Sequence, residues 1–90
     1  MALGPTLTIR DVRDCQRALQ RMAHAGAARL DAHALRVVDT AGLQLLLAAG
    51  RAAQRRGQRL ALTGAAELLR GAAESLGLTA ELDAVLELSA

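Results

Sequence analysis

Asp39-Thr40-Ala41-Gly42-Leu43 sets a carboxylate, a hydroxyl and a missing side chain next to one another, between the pair Val37-Val38 and a leucine-rich run. Asp and Thr both suit a helix N-cap, because their side-chain oxygens accept from the free N–H groups of the first turn. Those N–H groups carry partial positive charge. Such an elbow can meet a carboxylate, a phosphate or the acceptor groups of a partner. Gly42 falls in the first turn, where a missing side chain lets another surface approach the backbone. The five residues are therefore the candidate partner-binding site. Asp39 caps and orients, Thr40 donates and accepts hydrogen bonds, Ala41 stands at the contact, Gly42 allows close approach, and Leu43 serves as core or rim. An ordinary cap ahead of a core helix has the same spacing.

The other chemistry-bearing residues do not assemble. His24 and His33 fall on different elements, and neither has metal-ligand spacing to a carboxylate. Cys15, the only cysteine, lies on the apolar face of a helical pattern, where it reads as a small core residue. A threonine hydroxyl without a placed base is not an active site, and no glycine-rich phosphate loop is present. The expectation is a protein that is not an enzyme and uses no cofactor or metal. Arg51, Arg55, Arg56 and Arg59 form a cluster that is either a solvated helix face or a rim for an acidic partner.

Charge is unevenly spread. Up to residue 59 ten arginines face four aspartates, a net +6; beyond it Arg70 faces five acids, a net −4. This asymmetry could orient a protein partner. It does not read as nucleic-acid binding, because the chain has no aromatic residue to interleave with the arginines. A single cysteine excludes an intrachain disulfide. The apolar run Leu45 to Gly50 is far short of a membrane span, and the N-terminus lacks signal-peptide regions. These features predict a cytoplasmic protein without membrane insertion.

The elements that must hold the elbow follow from periodicity. Met1 to Pro5 reads as a frayed start. Thr6 to Ile9 alternates like a short strand with Leu7 and Ile9 inward. Thr8 to Asp11 has loose capping-box spacing before a helix from Arg10 to His24, striped by Val12, Cys15, Leu19 and Met22 and closed by Gly26. Ala28 to Ala32 is a buried strand around Leu30, with Asp31 at its end. Val37-Val38 is extended. The elbow then opens a helix in which Leu43, Leu46 and Leu47 recur at i, i+3 and i+4. Gly50 takes i+7 as a flat spot, and Gly57 ends the helix. Arg59 to Thr63 is a strand. Thr63 or Gly64 caps the next helix, whose core face is Leu68, Leu69, Ala72 and Leu76. Thr79 caps a last short helix in which Leu82, Val85 and Leu86 cover the core, with Ser89-Ala90 frayed. Ninety residues make one domain. The alternation predicts an α/β fold built from βαβ units around a small, mostly parallel sheet with about four helices.

Four passages resemble the STAS domain, the fold of bacterial anti-sigma factor antagonists. They are Leu30-Asp31 before a short loop, the elbow Val38-Asp39-Thr40-Ala41-Gly42-Leu43, the helix-to-strand passage Arg55-Arg56-Gly57-Gln58-Arg59-Leu60-Ala61-Leu62, and Leu76-Gly77-Leu78. The resemblance implies a non-enzymatic module that binds a protein, often a serine kinase that doubles as an anti-sigma factor and phosphorylates the elbow. In the switching members the acceptor is the second residue after Asp, and here that is Ala41. Either Thr40 accepts the phosphate instead, or the chain does not switch in this way. The Asp-Thr-Ala-Gly variant is similar to STAS proteins encoded beside chemotaxis genes. It is also similar to the small STAS subunit of the Mla lipid-transport ATPase, where the elbow threonine contacts the ATPase. The resemblance leaves a homodimer open. It also implies an N-terminal hairpin, which here is shortened or missing and leaves a sheet edge in need of cover.

Overall fold

A computed structural model describes residues 1–90. The order is β1 (Thr6–Leu7), α1 (Val12–His24), β2 (Arg29–Asp31), β3 (Val37–Val38), α2 (Thr40–Arg55), β4 (Leu60–Thr63), α3 (Ala66–Ser75), α4 (Thr79–Val85) and β5 (Leu86–Ser89). Every strand pair is parallel: β1 with β3, β2 with β4, β4 with β5. The fold is thus α/β with four helices and small parallel sheets, as the alternation predicts.

Two expectations about the ends are overturned. Met1 to Pro5 is not frayed. Asp31 donates its N–H to Met1 O, Leu3 donates to Asp31 O, and Val37 donates to Pro5 O. Alternate residues of a strand turn their hydrogen-bonding groups to the same edge, so residues 1–7 form one extended stretch with β2 and then β3 along a single edge. No hairpin stands ahead of α1, and no strand covers the outer edge of this stretch. At the other end, residues 86–89 are a strand, not the tail of a helix. Leu86 and Leu88 alternate with Glu87 and Ser89, and the strand pairs with β4 along its whole length.

The strands form a three-stranded sheet in the order β2–β4–β5 and a two-stranded sheet of β1 with β3. The parallel bridge between Ala2 and Asp31 carries the N-terminal stretch along the β2 edge. Each helical crossover steps one strand in the same direction. A parallel crossover is right-handed, so all the helices lie on one face. The core lies between that face and the helices. Leu7, Leu30, Leu60, Leu62 and Leu86 point into it, while Thr6, Arg29, Asp31, Thr63, Glu87 and Ser89 are exposed on the opposite face.

The core is aliphatic. All nine of its largest fully buried side chains are leucines, each stabilising by roughly 2 kcal/mol on burial. The central helix is α2, which buries six residues, whereas α1 buries only Leu19. At Gly50 a Cβ would lie 2.7 Å from Val85 O, so the flat spot lets the end of α4 pack against α2. Leu76 departs from expectation. It caps the end of α3 and is 42% exposed instead of joining the core face. The cap of α3 differs too, since neither Thr63 nor Gly64 is its N-cap. Ala65 stands there in the left-handed region at φ 57°, with no side-chain hydrogen bond.

Candidate functional site

The elbow is built from Asp39 outward. Asp39 leaves β3 in an extended conformation and is the N-cap of α2. One carboxylate oxygen, Oδ1, accepts from Gly42 N–H at 2.8 Å, and Oδ2 accepts from Ile9 N–H at 2.8 Å. The backbone joins in: Leu43 N–H donates to Asp39 O at 2.9 Å, and Asp39 N–H donates to Leu7 O at 3.2 Å. The carboxylate therefore ties the start of α2 to the turn that follows β1. Thr40 occupies the first helical position. It is exposed, and its hydroxyl makes no hydrogen bond within the chain. Ala41 is half-buried.

Gly42 and Leu43 lie inward of the other three elbow residues. Gly42 is buried, and a Cβ there would lie 2.0 Å from Leu7 O. The surface that approaches its backbone is the protein's own first strand. Leu43 is fully buried and belongs to the core. The two position the elbow from inside, leaving Asp39, Thr40 and Ala41 at the surface.

Ile9 takes the place they vacate. It was expected inward on a strand, but β1 ends at Leu7. Thr8 N–H and Thr8 Oγ1 donate to Asp11 Oδ2 at 2.9 and 3.0 Å, Thr6 Oγ1 donates at 3.1 Å, and Asp11 N–H returns to Thr8 O. This turn rotates Ile9 outward to 70% exposure, tethered to Asp39 beside Thr40. The Thr8-to-Asp11 spacing was the signal; it marks the end of the strand as well as the start of a helix. An unpartnered hydroxyl and an exposed apolar residue are thus both tied to Asp39, one as its chain neighbour and one through its backbone N–H, at the start of a sixteen-residue helix. Such a surface can hydrogen-bond and bury an apolar group.

The remaining candidates stay apart. Cys15 is half-buried in α1, and burial pushes its thiol above the ordinary value. His33 Nδ1 lies 2.6 Å from Asp31 Oδ1, within hydrogen-bond distance. His33 N–H also donates to that oxygen, and these bonds hold the Asp31 carboxyl below the usual carboxylate range. No three His, Cys, Asp or Glu side chains gather to hold a metal ion. The arginine cluster divides. Arg51, Arg55 and Arg56 are exposed, whereas Arg59 donates to Asp83 O at 2.8 Å and Leu86 O at 3.0 Å, where α4 passes into β5. No helix is long and apolar enough to cross a membrane.

Residues 1–87 match the family model described as Mlab, STAS domain, and the chain belongs to the STAS-domain family. STAS domains are in general protein-interaction modules of the anti-sigma antagonist kind and not enzymes. Searches of curated proteins and of solved structures returned no match.

Proposed function

We propose that this chain docks a regulatory protein partner through the elbow, with Thr40, Ala41 and Ile9 at the contact and Asp39, Gly42 and Leu43 holding it in shape. The partner is of the serine kinase and anti-sigma factor class or a chemotaxis-linked regulator, in the cytoplasm. One observation carries the reading. The Asp39 carboxylate is satisfied inside the fold, while the neighbouring Thr40 hydroxyl is exposed and unpaired. Phosphate on Thr40 would add about −1.5 to −2 charge. The helix N-terminus would hold it and Asp39 would repel it, so its main effect would fall on the partner's surface.

A second reading is constitutive docking on an Mla-type lipid-transport ATPase. Two observations favour it: position 41 is an alanine with no hydroxyl, and the matching family is described as Mlab. Affinity purification of the native protein, with mass spectrometry of partners and of the Thr40 peptide, separates the two. A kinase or sigma regulator with phosphorylated Thr40 supports switching; a transporter ATPase with unmodified Thr40 supports the subunit. In either case Thr40→Ala should change folding stability by less than about 0.5 kcal/mol. It should weaken partner binding by about tenfold or more, as loss of a central contact does. Unchanged affinity would remove the elbow from the interface.

A further inference from the structure

The helix-free face of the sheet carries a pattern that the elbow does not use. Arg29 of β2, Ala61 of β4 and Glu87 of β5 stand in one row across the strands. Arg29 and Glu87 are exposed and point away from the helices, and neither has an ion-pair partner. They sit two strand spacings apart, about 9.5 Å, with only the alanine between them. The next row is Asp31, Thr63 and Ser89; the Asp31 carboxylate is engaged by His33, and the other two are small and polar. Arg29, Ala61, Thr63, Glu87 and Ser89 from these rows line an open hollow of about 640 Å³, with Arg59 at its end. Parallel sheets are ordinarily covered on both faces, and here one face meets water.

We propose that this face binds a second copy of the same chain, sheet against sheet, about a two-fold axis that runs along β4. The rotation keeps the strand direction and exchanges the two sides of the sheet. β2 of one copy then faces β5 of the other. Arg29 meets Glu87 and Glu87 meets Arg29, while Ala61 lies over Ala61 and Thr63 over Thr63. The patch is self-complementary in the sense that a two-fold interface requires. Stacked sheets ordinarily lie about 10 Å apart. The small residues along the axis let these come closer, and the long side chains at the flanks fill the hollow. The alternative axis across the strands through this row sets Arg29 against Arg29 and Glu87 against Glu87. The first brings only Arg59 near its own copy, and that guanidinium is held by the Asp83 and Leu86 carbonyls of its own chain, so the charges favour the first.

Charge exchange tests the axis directly. In sedimentation equilibrium the unaltered protein should dimerise, and more weakly at high salt. Arg29→Glu and Glu87→Arg, each alone, should weaken dimerisation by about tenfold or more, because each sets like charges together at both contacts. Mixed with one another, the two variants should recover the dimer, since every contact in the mixed pair is again of opposite sign. Far-UV circular dichroism checks that both remain folded. A protein that stays monomeric, single variants that dimerise as the unaltered chain does, or a mixture that does not recover would each overturn the proposal.

Discussion

Gly42 and Asp39 hold the elbow from opposite sides. Asp39 does so by accepting two backbone N–H groups, Gly42 by having no side chain where Leu7 O passes. Gly42→Ala would drive a Cβ into a backbone oxygen that cannot move without breaking the pairing of β1 with β3. Its expected cost is at least about 3 kcal/mol. Gly71, in the middle of α3, has nothing within 4 Å of a built Cβ. There the same change should stabilise by about 0.5–1 kcal/mol, through helix propensity and a less flexible unfolded chain. Urea unfolding of the two variants measures both effects. The cap at Asp39 was readable because a carboxylate before a leucine stripe is a local signal. That Gly42 and Leu43 face inward was not, because it depends on residues 1–7 crossing beneath the helix.

Arg59 joins elements that the sequence separates. Its guanidinium donates to the carbonyls of Asp83 and Leu86, where α4 has no further turn to satisfy them. Arg59→Ala should cost about 2 kcal/mol, as the loss of charge-assisted hydrogen bonds does. Arg59→Lys should recover only part, since one ammonium lacks the guanidinium's fork. Thermal unfolding of both variants gives the ranking. α1, α2 and β4 were legible from periodicity within about two residues of their ends. β5 was hidden, because Leu82, Val85 and Leu86 satisfy a helical spacing and the strand's own alternation covers only four residues. Only pairing with β4 decides between the two. Residues 1–5 were hidden for a similar reason: their order comes from β2 and β3, far along the chain.

At the scale of the whole molecule, stability rests on leucine burial and on carboxylates at the surface turns. Thr8 N–H holds the Asp11 carboxyl below its ordinary value near 3.8, and His33 N–H does the same for Asp31. A carboxylate with a lowered folded pKa contributes fully above the ordinary carboxylate range, and its contribution is lost as pH falls through the lowered value. The thermal midpoint should therefore fall as the pH drops below the ordinary carboxylate value near 3.8. Asp11→Asn with Asp31→Asn should flatten that fall. The chain has no aromatic residue, so far-UV circular dichroism is the signal to follow.

The all-parallel arrangement also fixes how the molecule would answer to force. Residues 1–7 begin at one edge of the sheet and β5 ends at the other, both running in the same direction. A pull on Met1 against Ala90 acts along the strands in opposite senses. It slides neighbouring strands past one another and loads many hydrogen bonds together, where an antiparallel hairpin pulled at its ends would peel one bond at a time. Stretched by its termini in a single-molecule trap, this small protein should resist as a shear joint and then give way in one step.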